Sequence, residues 1–247
     1  MILRQFQRAV ALGLALALCI IRGWWMRLRG PVTLGRRALW LQACSRSVLR
    51  SLGVDVRVQG TPPARGLVVA NHLSYLDILV ISATVPCFFV SKLEVARWPY
   101  FGWAARTAGT IFLDRASRSS AAAVAGEISV RLALPILVLL FPEGTSTDGA
   151  QVLRFHPRLM EPATHSGAPI TSVAIRYVLA GGVQERELCW FGDVGFVSHL
   201  WKVLGAAGFS AQLQFGEPSV FADPRVAAER THAEVTAMRD ARVPAVR

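Results

Sequence analysis

Lysine is almost missing from this chain of 247 residues, which contains only Lys92 and Lys202. The short signatures of several enzyme classes are missing altogether. The sequence contains no Gly-x-Ser-x-Gly elbow, no phosphate-binding Walker loop and no Gly-x-Gly-x-x-Gly fingerprint. These absences argue against a serine hydrolase, a nucleotidase and a dinucleotide-dependent enzyme.

Cysteine and histidine are also scarce and lack the spacing of metal sites. The four cysteines lie far apart without a Cys-x-x-Cys pair, and the five histidines form no His-Glu-x-x-His motif. We therefore expect reduced, structural cysteines, no metal and no bound cofactor.

Positive charge and apolar character are both high. The net charge is +11, and 53% of the residues are hydrophobic. Nucleic-acid-binding proteins are basic but seldom so apolar, so a nucleic-acid partner is not expected. A membrane surface with anionic lipids suits both properties. Nearly all the positive charge is arginine, which binds phosphate oxygens well, although a genome that favours arginine explains the bias equally well.

The N-terminal region combines apolar residues with arginines. Residues 9–21 are nearly all apolar, but as a helix they reach about 20 Å, less than a bilayer core of about 30 Å. Trp24 and Trp25 extend the segment, and Pro31 separates it from a second predicted helix at residues 34–52. That helix has arginines beside apolar residues, as a membrane-surface helix would: Arg36, Arg37, Arg46 and Arg50 beside Leu39, Leu41, Val48 and Leu49.

We interpret residues 1–52 as membrane-associating helices and residues 53–247 as one further domain. A two-helix anchor lying in one face of the membrane is preferred. A tilted single span and a cleaved signal peptide are the alternatives.

Beyond Gly53, short apolar runs alternate with segments of helical length. Strands are predicted at residues 54–58, 67–70, 88–91, 110–113, 136–141, 170–175 and 212–215. Helices are predicted at residues 74–84, 93–108 and 119–134 and in a tail after Pro224, with Asp223 as its N-cap. This alternation predicts a layered α/β domain with a mostly parallel or mixed sheet flanked by helices.

A histidine and a carboxylate directly after a predicted strand are the main local signal for chemistry. The run NHLSYLD occupies residues 71–77, so His72 leaves the strand and Asp77 follows about one helical turn later. Neutral imidazole is a suitable general base, and a carboxylate partner fixes its tautomer. Alone, the pair also fits a structural histidine and a carboxylate at a helix start.

Two further runs lie at the ends of predicted strands, where open α/β sheets place ligand-binding loops. They are GTIFLDR at residues 109–115 and FPEGT at residues 141–145. Together with NHLSYLD, and in this order, they resemble the motifs of the glycerophospholipid acyltransferase family. The resemblance covers roughly residues 55–180.

The resemblance implies a membrane-associated O-acyltransferase. It would move a fatty acyl group from a thioester donor, acyl-CoA or acyl carrier protein, to the free hydroxyl of 1-acylglycerol-3-phosphate, giving phosphatidate. His72 would be the general base and Asp77 its orienting partner. Arg115 would bind the acceptor's phosphate. Further substrate contacts are expected from Glu143, Gly144, Thr145 and Lys92.

No acyl-enzyme is expected, because Ser74 is better placed to support the loop than to act as a nucleophile. Donors for the oxyanion are expected from loop amides near Asn71 or Gly144.

One position departs from the pattern of phosphatidate-forming members, which usually have arginine directly after Glu-Gly-Thr. Here Ser146 occupies that position. The serine version, with the later stretches at residues 190–193 and 199–201, resembles acyltransferases that act on lyso-ornithine lipid. That lipid is the second candidate acceptor, and a non-catalytic membrane-surface binding protein is the alternative of another class. The expected location is the cytoplasmic face of the inner membrane.

Overall fold

A computed structural model describes the backbone of residues 2–114 and 118–241. Seven strands form one sheet: β1 Val54–Gln59, β2 Gly66–Ala70, β3 Cys87–Lys92, β4 Ile111–Leu113, β5 Leu137–Leu140, β6 Ile170–Leu179 and β7 Phe209–Phe215. The α-helices in the described ranges are α1 Ile2–Leu28, α2 Leu34–Leu52, α3 Leu76–Thr84, α4 Pro99–Ala108, α5 Arg118–Leu132, α6 Glu161–Ser166, α7 Phe196–Gly205 and α8 Pro224–Asp240.

The sheet is mixed, with the strand order β1-β7-β6-β2-β5-β3-β4. The five strands from β6 to β4 are parallel. β7 runs antiparallel to β6, and β1 runs parallel to β7. One face of the sheet packs against the helices from α1 to α4 and α7, and the other against α5, α6 and α8. The predicted layered α/β fold with a mostly parallel sheet is confirmed.

All seven predicted strands are present, but some predicted boundaries and helices are wrong. β6 continues four residues past its predicted end at Ile175, to Leu179. The helix predicted at residues 93–108 is divided, because Pro99 holds Trp98 in an extended conformation and starts α4 as its first residue. The short helix α6 and the helix α7 were not predicted, although α7 carries apolar side chains at helical spacing.

Helix α2 begins and ends where the sequence predicts, but its apolar face contacts protein. Thr33 caps its start, and Gly53 ends it in the left-handed conformation. Leu41, Val48 and Leu49 are buried in the core that α2 shares with the sheet. The expectation of a membrane-surface helix is therefore wrong for these three side chains, while Leu39 is exposed. In packing terms, residues 34–52 and the body beyond residue 53 form one unit.

Several N-terminal arginines bind protein carbonyls at the C-terminal ends of neighbouring helices. Carbonyl oxygens of the last turn lack helical partners, and a cation there also interacts favourably with the helix dipole. The contacts run from Arg8 to Leu204 and Ala206, from Arg36 to Met26, from Arg37 to Arg106 and Thr107, and from Arg46 to Ala83. These guanidinium groups tie the helices to one another.

Helix α1 contrasts with α2, because it exposes an apolar stripe along its whole length. At 27 residues it is about 40 Å long and, by length and composition, could cross a membrane. Its inner face packs on α2, and the Trp40 indole nitrogen donates to the Cys19 carbonyl. The exposed residues recur at helical spacing: Leu3, Phe6, Val10, Leu14, Ile21, Trp24, Trp25 and Leu28.

Candidate active site

The parallel strands bring the sequence motifs to one edge of the sheet. β2 and β5 are neighbours in the sheet, so His72, two residues after β2, lies near Glu143, three residues after β5. Lys92 ends β3, which pairs with β5, and it therefore lies on the same edge. Ligand-binding loops of open α/β sheets occupy this carboxyl edge.

His72 and Asp77 form a direct hydrogen-bonded pair. His72 Nδ1 lies 2.7 Å from Asp77 Oδ2, and the aspartate side chain is fully buried while a fifth of the histidine side chain is exposed. The same Oδ2 accepts the amides of Leu73 and Ser74, at 2.6 and 2.9 Å. With Nδ1–H donating to the carboxylate, Nε2 carries the lone pair that can take a proton.

The second carboxylate oxygen of Asp77 has a partner that was not expected from the sequence. The Tyr177 hydroxyl donates to Asp77 Oδ1 at 2.5 Å. Tyr177 is buried near the end of β6, two residues beyond the predicted strand. The sequence signal that could have identified it is the apolar run at residues 177–179, which extends the strand beyond Arg176.

The His72 ring and backbone are also held by the FPEGT run and by Thr147, two residues beyond it. Its ring stacks on Phe141 with centroids 4.1 Å apart and planes 17° from parallel. Its carbonyl accepts the Thr147 amide at 2.9 Å. Its amide donates to Glu143 Oε1 at 2.7 Å. The general-base candidate is therefore fixed through its ring and both backbone groups.

Glu143 faces the protein interior and engages both of its carboxylate oxygens there. Oε1 accepts the His72 amide, and Oε2 accepts the Leu153 amide at 2.8 Å. Burial raises the pKa of this carboxyl to about 7, although the two amide hydrogen bonds oppose the shift. Oε1 thus joins the two motif loops, and Oε2 fastens the segment at Leu153 to the second of them.

The other predicted substrate contacts occupy different environments. The Gly144 amide donates to the Phe141 carbonyl at 3.0 Å, so the turn already uses this candidate oxyanion donor. Thr145 and Lys92 are exposed at the rim. Arg115 lies outside the described residues.

Asn71 fastens the start of the motif to β6. Its side-chain amide donates to the Ile175 carbonyl at 3.1 Å, and its side-chain oxygen accepts the Ile175 amide at 2.8 Å. This reciprocal pair aligns the loop with the strand that carries Tyr177.

Trp190 connects the motif loops to the aromatic rings of Tyr75 and of Phe196, the first residue of α7. Its amide donates to the Leu73 carbonyl at 2.8 Å, and its carbonyl accepts the Ser146 hydroxyl at 2.5 Å. The Tyr75 ring lies 5.6 Å from that of Trp190 and 5.0 Å from that of Phe196, centroid to centroid. Ser146, the position that departs from the phosphatidate-forming pattern, is thus linked through the Trp190 backbone to Leu73, the residue after His72.

No group of three or more His, Cys, Asp or Glu side chains that could hold a metal occurs in the ranges 2–114 and 118–241. The expected lack of a metal and of a bound cofactor remains a prediction.

The sheet, the order of the motif loops and the buried His-Asp pair define an α/β enzyme of the acyltransferase class. The family described as Acyltransferase matches residues 54–176 of this chain. The chain belongs to this acyltransferase family, which confirms the resemblance stated from the motifs, and glycerophospholipid acyltransferase activity is supported at the level of the family.

The individual relatives are named for two different acceptor lipids. The chain is 38% identical over 223 residues to a lyso-ornithine lipid O-acyltransferase of Pseudomonas aeruginosa, covering 85% of this chain and 80% of that protein. It is 32% identical over 174 residues to a 1-acyl-sn-glycerol-3-phosphate acyltransferase of Neisseria meningitidis serogroup B, covering 69% and 68%. The crystal structure of PlsC, the 1-acyl-sn-glycerophosphate acyltransferase from Thermotoga maritima, has a TM-score of 0.68 at 22% identity. It covers 98% of this chain and 97% of that one, and it shows a common fold.

Proposed function

We propose that the protein transfers a fatty acyl group from a thioester directly to the free hydroxyl of a lysolipid, with His72 as general base. The observation that carries this proposal is the 2.7 Å contact between His72 Nδ1 and the buried Asp77 carboxylate. An alcohol is a poor nucleophile until a base removes its proton as the new bond forms, and the oriented imidazole performs that step.

The reaction balances without an enzyme nucleophile. His72 Nε2 takes the hydroxyl proton, and the acceptor oxygen adds to the thioester carbonyl. The tetrahedral intermediate then expels the thiolate, which receives the proton back from the imidazolium. The products are an ester and a free thiol. The Ser74 side chain is fully buried, which supports transfer without an acyl-enzyme.

Lyso-ornithine lipid is the acceptor that we propose first. Its support is Ser146, which replaces the arginine of phosphatidate-forming members and donates to the Trp190 carbonyl. The relatives named for this lipid reach 38% identity, compared with 32% for those named for 1-acyl-sn-glycerol-3-phosphate. The order of the two acceptors is therefore the reverse of that expected from the motifs alone.

1-Acylglycerol-3-phosphate is the second candidate, because the sequence has arginine at position 115, and a guanidinium group can bind a phosphate through two N–H donors. The donor is a thioester of coenzyme A or of acyl carrier protein. Since both are intracellular thioesters and α1 exposes an apolar stripe, we place the reaction at the cytoplasmic face of the inner membrane.

A panel of acceptors tests the proposal. Purified protein in vesicles would be assayed with each donor against lyso-ornithine lipid and 1-acylglycerol-3-phosphate, and His72→Ala would serve as the inactive control. We expect faster initial rates with lyso-ornithine lipid. A preference for the phosphate acceptor would reverse the choice of acceptor. Donor hydrolysis without transfer to either lipid would contradict the acyltransferase assignment, and no turnover of either donor would favour a non-catalytic binding protein.

A further inference from the structure

The two oxygens of Asp77 are held by different parts of the chain. Oδ2 accepts hydrogen bonds from its own loop, from His72 Nδ1 and from the Leu73 and Ser74 amides. Oδ1 accepts the hydroxyl of Tyr177, 100 residues further along the chain. The NHLSYLD motif alone therefore accounts for half of the environment of this carboxylate.

Tyr177 is itself firmly anchored. Its amide donates to Glu185 Oε1 at 2.7 Å, and Arg239 from α8 binds both oxygens of Glu185 at 3.0 and 2.8 Å. Arg239 also donates to the Ile175 carbonyl at 2.7 Å. The Phe209 ring meets the Tyr177 ring edge-on at 5.9 Å. The hydroxyl is thus held in place by β6, β7 and α8.

We infer that Tyr177 is a positioning residue for the acyl transfer. Its hydroxyl holds the Asp77 carboxylate turned toward His72 and moderates the basicity of the His72 imidazole through that carboxylate. The inference rests on the proposed function of the His-Asp pair. A carboxylate with donors on both oxygens resists rotation about its terminal bond, so Oδ2 stays aimed at Nδ1. A donor on Oδ1 also draws negative charge away from the oxygen that stabilises the imidazolium.

The Tyr177 hydroxyl keeps its proton, and remains a hydrogen-bond donor, over the pH range of an activity assay. Burial raises the pKa of the Tyr177 hydroxyl well above its ordinary value, and the Asp77 charge adds to the shift. Burial also raises the pKa of the Cys189 thiol to about 12, so this neighbour stays neutral. Arg239 is matched by Glu185. Glu143 remains as a titrating neighbour and is common to all the variants compared.

Tyr177→Phe tests the inference, because it removes the hydroxyl and keeps the ring. We expect kcat to fall about 10- to 100-fold, the rate equivalent of one hydrogen bond to a charged group, with KM for the acceptor unchanged. Without the donor, the carboxylate stabilises the imidazolium more strongly, so the acid limb of the kcat/KM profile moves to higher pH. Tyr100→Phe is the matched control. The Tyr100 hydroxyl makes a long 3.5 Å contact with the Leu16 carbonyl, so this variant should behave as wild type.

A double-mutant cycle shows whether Tyr177 acts through Asp77. In an Asp77→Asn background, Tyr177→Phe should change kcat by less than about twofold, because the partner is already altered. Equal losses in both backgrounds, or a folded Tyr177→Phe protein with unchanged kcat or an unmoved acid limb, would overturn the inference. If His72→Ala is inactive while Tyr177→Phe is normal, this inference fails alone. If His72→Ala retains activity, the proposed function fails.

A second substitution covers the case in which Tyr177→Phe does not fold. Replacing Tyr177 by 3-fluorotyrosine keeps the hydroxyl and makes it a stronger donor. The acid limb should then move to lower pH, the direction opposite to that in Tyr177→Phe. An unmoved limb in this folded variant would contradict the proposed role.

Discussion

The motif edge of the sheet and the outer face of α1 both reverse the usual distribution of side chains, in opposite directions. At the motif edge, charged groups are buried: Asp77 is 0% exposed and Glu143 is 4% exposed. On α1, large apolar groups are exposed, with Leu3, Leu14 and Ile21 between 62% and 70% accessible. Buried polar groups and exposed apolar stripes are the informative exceptions in a folded protein.

The two regions differ in whether the chain itself supplies contacts for these side chains. At the motif edge, both carboxylate oxygens of Asp77 and both of Glu143 accept hydrogen bonds from donors within the chain. These hydrogen bonds hold His72 as a rigid, oriented base. On α1 the exposed stripe is covered by nothing in residues 2–114 and 118–241. The first region is completed by the fold itself, and the second is suited to a lipid surface.

The largest effect is expected from the motif edge itself. His72→Ala should lower acyl transfer by about 10²- to 10⁴-fold, the contribution of a general base, with the fold retained. Asp77→Asn should lose less, because the imidazole remains. His165→Ala, at an exposed histidine on α6, is the control. Initial rates and circular dichroism measure both properties, and transfer within a few-fold of wild type in a folded His72→Ala protein would exclude the mechanism.

The outer face of α1 can be tested without disturbing the core. Deletion of residues 1–52 would also remove α2 and expose its core partners, so Leu14→Gln with Ile21→Gln is the better change. Vesicle partitioning should fall by about tenfold or more for each side chain, since burying one contributes about 1.5 to 3 kcal/mol. Val130→Gln with Val220→Gln, at exposed positions elsewhere, is the control. Unchanged sedimentation with vesicles would place the membrane contact on another surface.

Glu143 connects the two motif loops, and its substitution should have an intermediate effect. Glu143→Gln places an amide group opposite one of two backbone donors, so acyl transfer should fall about tenfold, as for one lost hydrogen bond. Glu143 has a raised pKa, so its contribution to the free energy of unfolding is present at low pH and is lost as pH rises from about 4.5 through about 7. The stability penalty of Glu143→Gln should therefore be larger at pH 5 than at pH 8.

Denaturant unfolding at the two pH values measures that difference. A penalty that grows with pH would mean that Glu143 is ionised at low pH despite its burial.

The smallest effect is expected at the contact between Ser146 and Trp190. Ser146→Ala removes the hydroxyl that donates to the Trp190 carbonyl, a hydrogen bond of about 0.5 to 1.5 kcal/mol. KM for the acceptor should rise about two- to tenfold with little change in kcat. Ser198→Ala, which removes an exposed hydroxyl bound to Gly195, is the control. If kcat falls and KM does not change, Ser146 supports His72 rather than binding of the acceptor.

Local signals in the sequence were sufficient for the elements and for the motif. Helix α2 occupies residues 34–52 as predicted, and Asp223 caps α8 as predicted by accepting the Arg225 and Val226 amides. The seven apolar runs became strands, and His72 and Asp77 lie together because only four residues, of loop and helix start, separate them. Such features depend on backbone preferences and capping within a few residues, which the sequence encodes directly.

Only the tertiary structure decided which groups surround those elements. The Tyr177 hydroxyl reaches Asp77 because β6 pairs with β2, an adjacency between segments 100 residues apart. Glu143 binds the His72 amide because β5 lies on the other side of β2. Helix α2 buries the apolar face that its composition would equally direct to a membrane, because α1 and the sheet cover it. Strand order and the competition for apolar surface are properties of the whole chain, and no local pattern specifies them.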